Sequence, residues 1–286
     1  MRRKVVKQGA ATLMISLPAK WTKQFSLKKG DEVDIEESEG NLLIGAKKLA
    51  KEKTKIELKG DLGMESANLD ILALYLKGFD EIEVSVDDSK IIKKIQDEIL
   101  SVLIGFEIVR QEKNSCVIKE IAVPSENEFE NMVQRLWFLA EQMGQESLET
   151  LEEGKTNLES VEYMDKNINK FAFFCMRTLN KKSGKRGLYL IINNLELIGD
   201  SYRMMAKFIT KHKVKPSAEE IDLLKETISF FVLIKKFFYS RDKADAGKFI
   251  LKYKKLKKDF ENAKSSKISS CLSEILDSIA DIYPNI

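Results

Sequence analysis

The spacing of hydrophobic positions changes twice along this chain, and the changes divide it into three segments. Over residues 1–48 the period is close to two. Val5–Lys7 reads as a short strand, Gln8-Gly9 as a turn, and Thr12–Leu17 as a second strand. Leu13, Ile15 and Leu17 lie on one face of that strand, with Thr12, Met14 and Ser16 on the other. Pro18 then stands where a first helical residue would be, a place that suits its fixed φ and missing donor, and Ala19–Phe25 follows as a short helix. Lys28-Lys29-Gly30-Asp31 turns the chain, Val33 and Ile35 alternate with acids, and Gly40-Asn41 is a hairpin signal leading into Leu42–Ala46. So small a unit buries little core by itself, which predicts a dimer.

From about 52 to 122 strand and helix periods alternate. Lys55–Leu58 reads as a strand and Gly60-Asp61-Leu62-Gly63 as a break. Glu65–Lys77 is helical, with Leu69, Leu72, Ala73 and Leu76 at helical spacing, and Gly78 stops it. Ile82, Val84 and Val86 alternate with polar residues, and Asp87–Ser101 is a helix with Asp87 and Asp88 as cap candidates. Phe106–Val109 and Cys116–Ile121 are strands on either side of a polar turn. From 125 to 284 the helical period holds throughout. Six helices are predicted, at 126–152, 157–181, 186–212, 217–241, 243–264 and 267–283, with Ser125 and Glu128 at capping-box spacing before the first. The connections are short, so neighbours run antiparallel, as two successive three-helix units. Phe171, Phe173, Phe174, Phe230, Phe231, Phe237 and Phe238 belong to their core by spacing. The fold class is therefore multidomain and mostly α, with domains at 1–48, 52–122 and 125–284.

Composition removes several function classes. The 286 residues are 43% apolar and 33% charged, with 4 Pro and 14 Gly, which fits folded, helix-rich domains. The longest apolar runs, Leu69–Leu76 and Ile228–Ile234, are far below a membrane span. The basic start followed by Ala10–Leu17 imitates a secretory leader, but Lys20 and Lys23 follow closely without a small-x-small site, so it reads as structural. Three scattered cysteines, Cys116, Cys175 and Cys271, contain no C-x-x-C pair and fit a reducing cytoplasm. The single histidine, His212, lies in a lysine-rich stretch, so nucleophile–histidine hydrolysis is disfavoured and no enzymatic role is expected.

The net charge of +3 conceals a gradient. Residues 1–30 carry Arg2, Arg3, Lys4, Lys7, Lys20, Lys23, Lys28 and Lys29 and no acid, while 31–50 sum to −4. A basic end of that kind is an electrostatic footprint for a polyanion, or else a solvated lysine surface. Residues 51–120 hold 11 bases against 15 acids and are not that surface; they read as a spacer or dimerisation unit, or as a small-ligand sensor. In the helical segment Lys252, Lys254, Lys255, Lys257 and Lys258 read as a solvated face. Glu196 and Asp200 stand four apart on one helix face, with Arg203 three residues on and Gly199 between them. The preceding helix offers Glu159, Glu162 and Asp165 at three-residue steps. Carboxylates on facing helices can cage a hard cation; the plainer alternative is solvated charge neutralised by Arg203, with Gly199 admitting a neighbouring helix.

Two resemblances sharpen these expectations. Gly9, the run Met14-Ile15-Ser16-Leu17-Pro18 and the stretch Phe25-Ser26-Leu27-Lys28-Lys29-Gly30-Asp31-Glu32-Val33 resemble the AbrB/SpoVT/MazE swapped-hairpin DNA-binding family. The resemblance implies an interleaved homodimer that presents Arg2, Arg3, Lys4, Lys7, Lys20 and Lys23 to DNA. The loop Gly9-Ala10-Ala11-Thr12 lacks the arginine often found there, which favours phosphate contacts over base reading. Asn194-Leu195-Glu196-Leu197-Ile198-Gly199-Asp200 resembles the signature of PhoU phosphate-signalling proteins, with Val161–Phe171 as the preceding helix. A looser second copy runs through Leu272–Ile282, where Asp277 and Asp281 repeat the acidic pair near a helix C-terminus and so require a charge partner. This resemblance implies a divalent or trivalent metal ion on Glu162, Asp165, Glu196 and Asp200, with Glu159, Asp277 and Asp281 as weaker ligands. Iron, magnesium and manganese suit oxygen ligands better than zinc does.

Together the three segments resemble archaeal phosphate uptake regulators. The expectation is a cytoplasmic, dimeric, DNA-binding transcriptional regulator with a metal-binding helical sensor, and with phosphate transporter components among its partners. The rival is an adaptor of the PhoU type that acts on a transporter through protein contacts and uses its hairpins only to dimerise. A carboxylate-bridged metal enzyme is a second rival, and the absence of Glu-x-x-His pairs argues against it.

Overall fold

The computed structural model describes residues 2–9, 11–38, 41–45, 52–122, 126–153, 158–181 and 186–286. The chain forms two compact units, Met1–Glu52 and Lys53–Ile286.

In the first unit β1 (Val6–Gln8) and β2 (Thr12–Met14) pair antiparallel, Val6 opposite Met14. Gly9, at φ +72°, supplies the left-handed position their turn needs. The second strand ends at Met14, three residues sooner than the alternation of Leu13, Ile15 and Leu17 predicts. A short helix, α1 (Ala19–Gln24), follows, and Pro18 is its N-cap, at φ −64° and ψ 126°, rather than its first residue. The second hairpin joins β3 (Asp34–Ser38) to β4 (Asn41–Gly45), Ile35 opposite Ile44. The two hairpins are separate two-stranded sheets. Gly40 and Ala46, at the predicted hairpin tip and strand end, lie outside the described residues. No side chain described in this unit is buried; Leu13 is 69% exposed, and Val5, Val6, Ile35 and Leu42 are also open to solvent.

In the second unit a four-stranded sheet has the order β5-β6-β8-β7, made of β5 (Lys53–Leu58), β6 (Glu81–Val86), β7 (Phe106–Glu112) and β8 (Ser115–Glu120). β5 and β6 are parallel, so a crossover must join them, and α2 (Gly60–Leu76) is that crossover. The alternation in β6 is as the sequence predicts: Ile82, Val84 and Val86 are buried under the helices. On the opposite face Glu81 pairs with Lys53 and Lys119, and Glu83 with Lys55. The second helical stretch is less regular than expected. α3 (Ser89–Lys94) passes into a π turn at Ile95–Ile99 and a 3-10 turn at Leu100–Val102. Asp88 caps α3 by accepting from the Lys90 N–H.

Gly60-Asp61-Leu62-Gly63, expected as a break, is instead the first turn of α2. Two features that act at a distance permit this. The Asp87 carboxylate accepts the Gly60 N–H at 2.8 Å, satisfying an orphan donor of the helix start. A Cβ at Gly63 would lie 2.6 Å from the Leu58 carbonyl carbon, so glycine lets the strand turn tightly into the helix.

Six long helices complete the unit: α4 (Glu126–Glu152), α5 (Leu158–Lys181), α6 (Arg186–His212), α7 (Ala218–Ser240), α8 (Lys243–Asn262) and α9 (Lys267–Ile282). Their bounds follow the predicted ones closely; the Ser125 cap lies outside the described residues. α4, α5 and α6 pack on one another, α7 packs on α8 and α9, and the two groups meet through α6 on α9 and α4 on α7. Trp137, Ile168, Leu195, Phe230 and Ile275 are fully buried between them. Phe173, Phe174 and Phe231 are buried too, and Phe171, Phe237 and Phe238 pack partly buried against the core.

The segments 52–122 and 125–284, separated by their hydrophobic periods, share this one unit. Arg177 on α5 explains why. Its guanidinium is buried and donates to the Tyr75 carbonyl at 2.7 Å, to Asp80 at 2.8 Å and to Glu120 at 3.1 Å. It also lies over the Tyr75 and Phe106 rings, 4.9 and 4.7 Å from their centroids. Lys181, one turn on, pairs with Asp80 and Glu120 as well.

Candidate functional site

Two groups of residues carry chemistry, one in each unit. The first is the basic start. Arg2, Arg3 and Lys4 precede β1, Lys7 lies within it, and Lys20 and Lys23 are on α1. All six are exposed. Their ordinary role is electrostatic: exposed cations on short elements can follow a phosphate backbone, and nothing about them is preset to read base edges. Around them the apolar side chains of β1, β2 and β3 remain uncovered, with Val6 58%, Leu13 69% and Ile35 60% exposed.

The second group lies between α5 and α6. Asp165 on α5 lies opposite Glu196 and Asp200 on α6. The helices approach closely at Gly199, where a Cβ would meet Ile168 Cδ1 at 3.1 Å; this is the packing role foreseen for that glycine. Asp165 is 6% exposed, and its Oδ1 is buried without a hydrogen-bond partner. Burial, together with the nearby Asp200 charge and against the pull of Arg203, pushes the Asp165 carboxyl up to about 6. Glu196 is pushed up to about 7 by burial first, then by Asp200 and Asp165. Asp165 and Glu196 thus share a half-dry site beside Asp200, and both resist ionising there.

The cation that answers them is Arg203. Its Nε lies 3.0 Å from Asp165 Oδ2, and its other nitrogen donates to Asp200. The neighbourhood disperses the remaining candidates. Glu162 is exposed and pairs with Lys207 at 3.2 Å. Glu159 is exposed. Asp277 pairs with Lys257 at 2.8 Å, the charge partner its place near the end of α9 requires, and Asp281 is exposed. Among the described residues no three His, Cys, Asp or Glu side chains converge so as to hold a metal ion. The donors are of the hard-oxygen type a magnesium- or manganese-class ion prefers, but their arrangement is filled by an internal guanidinium and does not fit a metal as it stands.

Two further expectations can be placed. Cys116, Cys175 and Cys271 are free and buried, and burial pushes the Cys116 thiol up to about 11 and that of Cys175 up to about 12. Such thiols are poor nucleophiles. His212 is exposed at the end of α6 and stacks on Phe208 at 4.9 Å. The Arg177 cluster escaped sequence reasoning entirely. Its partners lie 57 to 102 residues away, and a single arginine in an apolar helical stretch is the one local signal.

Comparison with known proteins adds one finding. Residues 6–54 match the family described as "Antidote-toxin recognition MazE, bacterial antitoxin". No curated protein and no solved structure matches the chain. The matched segment is the one whose motifs resemble the AbrB/SpoVT/MazE hairpins, and it spans the whole first unit from β1 onwards. No helix among the described residues is long and apolar enough to cross a membrane.

Proposed function

We propose that this protein is a dimeric, non-enzymatic DNA-binding regulator that grips the phosphate backbone with its first unit and is controlled through its helical unit. The observation that carries the reading is the state of unit one. It matches a MazE-type family over 6–54, bears Arg2, Arg3, Lys4, Lys7, Lys20 and Lys23 on its surface, and buries none of its described side chains. A β-rich unit with Leu13, Ile35 and Leu42 exposed gains its core by pairing with a second copy, and pairing doubles the cations presented to DNA. The finer reading is control of phosphate uptake. It is supported by the likeness of 194–200 to the PhoU signature and by the two three-helix groups. We read Arg203, 3.0 Å from Asp165, as the cation that answers the acids between α5 and α6, so a bound metal is not part of the proposal.

Fluorescence anisotropy against promoter and random duplexes, with salt varied, tests this reading. Log affinity should fall steeply with log salt, and Arg2→Ala/Arg3→Ala should reduce the slope by about 0.9 for each lost phosphate contact per chain. Absence of binding at low salt, by protein shown to be a folded dimer, refutes it and leaves the adaptor reading.

A further inference from the structure

α2 carries apolar residues on opposite faces. Ala67, Ile71 and Tyr75 are fully buried against the sheet, α3, the π turn and α5, whose Asn180 also donates to the Leu76 carbonyl. The outer face presents Leu62, 80% exposed, and Leu69, 70% exposed. Ala73 is exposed beside them, and Leu72 and Leu76 lie half-buried at the margin. Leu62, Leu69 and Leu76 are seven residues apart, so they fall on one stripe that drifts by only about 20° per step. A lone exposed leucine needs no explanation; a stripe at heptad spacing on a helix already packed on its other side does.

The charges flanking the stripe choose its occupant. Asp61 and Glu65 lie toward the N-terminal end and Lys77 just beyond the C-terminal end. Two copies of α2 laid antiparallel and centred on Leu69 bring Leu62 against the partner's Leu76 and set the acidic end of each helix level with the Lys77 end of the other. A parallel pairing would instead set Asp61 and Glu65 against their own copies. The stripe is far smaller than the ~800 Å² per partner of a freestanding interface. Tethering removes that difficulty. The second unit begins at Lys53 and α2 at Gly60, directly after a unit inferred to be dimeric, so the two α2 helices meet at roughly millimolar effective concentration.

We infer that the outer face of α2 is a second dimer interface, occupied by the same stripe of a second copy in antiparallel register about Leu69. The inference rests on the dimeric reading of the first unit. On it, residues 53–122 fix the two helical halves of the dimer relative to each other.

Cysteine cross-linking in the full-length chain tests it, because the three native cysteines are buried. Leu69→Cys alters an exposed position and lies next to its own symmetry mate, so mild oxidation should convert most of the protein into a covalent dimer. Leu62→Cys alone should not cross-link, since its mates would stand about 21 Å apart along the helices. Leu62→Cys mixed with Leu76→Cys should cross-link across chains. Leu69→Lys should weaken the dimer at least tenfold in sedimentation equilibrium. Light scattering on the unmodified chain separates the failures. A dimer in which Leu69→Cys does not cross-link overturns the inference, α2 then being covered by the first unit or by another protein, and leaves the DNA-binding reading intact. Self-cross-linking of Leu62→Cys overturns the antiparallel register. A monomeric chain overturns both the inference and the dimeric reading beneath it.

Discussion

In residues 53–286 Tyr75, Ile82, Ile118, Trp137 and Leu272 are wholly withdrawn from water, whereas in residues 1–52 no described side chain is buried and Leu13 remains 69% exposed. Both units are rich in aliphatic residues. They differ in where the complementary surface comes from. The larger unit supplies its own, through six helices and a half-covered sheet. The smaller one has two hairpins that share no ladder, and none of its described side chains is buried. Apolar periodicity therefore reports that a face will be buried and does not say by which molecule.

The sharpest way to break this contrast lies in the larger unit. Arg177→Ala should cost about 3–5 kcal/mol in urea unfolding, because it takes the guanidinium away from the buried acids Asp80 and Glu120. Arg177→Lys should recover only part of that loss, since an ammonium cannot reproduce the fork that lies over the Tyr75 and Phe106 rings. In the smaller unit the decisive change is Leu13→Asp. Were the unit self-contained, a charge at so exposed a position would alter stability by less than about 0.5 kcal/mol. If a second copy covers it, sedimentation equilibrium should show dimer dissociation increased about a hundredfold, roughly 2.7 kcal/mol.

A smaller effect belongs to Glu196. The folded state keeps its proton up to about pH 7, while the unfolded chain releases it near the ordinary 4.5. The folded state thus binds more protons across that window, so stability falls as pH rises from 4.5 to 7, and the loss is complete above 7. Glu196→Gln should remove the loss, raising stability by about 2 kcal/mol at pH 8 and leaving it nearly unchanged at pH 4, as read by thermal melts across pH. The smallest effect is expected from metal. With Arg203 between Asp165 and Asp200, millimolar manganese or a chelator should move Tm by less than about 1 °C, whereas in Arg203→Met the same ion should stabilise by mass action.

Much of this was legible in the residues. The helices of the bundle follow from apolar spacing and short polar connections. They also show their acids by spacing, Glu196 and Asp200 on one and Glu159, Glu162 and Asp165 on the one before, but the steps alone do not choose Asp165 as the one that meets the pair. Arg203 could be named as the neutralising partner because it lies one turn from Asp200. What was not legible depends on distant chain. Gly60 and Gly63 look like breakers until Asp87 and the Leu58 backbone are placed beside them. The π turn at Ile95–Ile99 keeps the helical apolar period and so leaves no mark in it. Arg177 meets partners from α2, the turn before β6 and the end of β8, and no local pattern records such a meeting. The reading of Glu162 as a fourth ligand fails to meet its group for a local reason, since Lys207 draws it to the surface.

The Arg177 cluster also bears on how such a chain can be assembled and reshuffled over time. A recombination point near 122–125 looks safe, being a short connection between a sheet and a helix. It would nonetheless hand the new chain Asp80 and Glu120 without their guanidinium, or the guanidinium without its acids, and either product carries uncompensated charge in a dry place. The helices must therefore travel together with the sheet to which Arg177 fastens them.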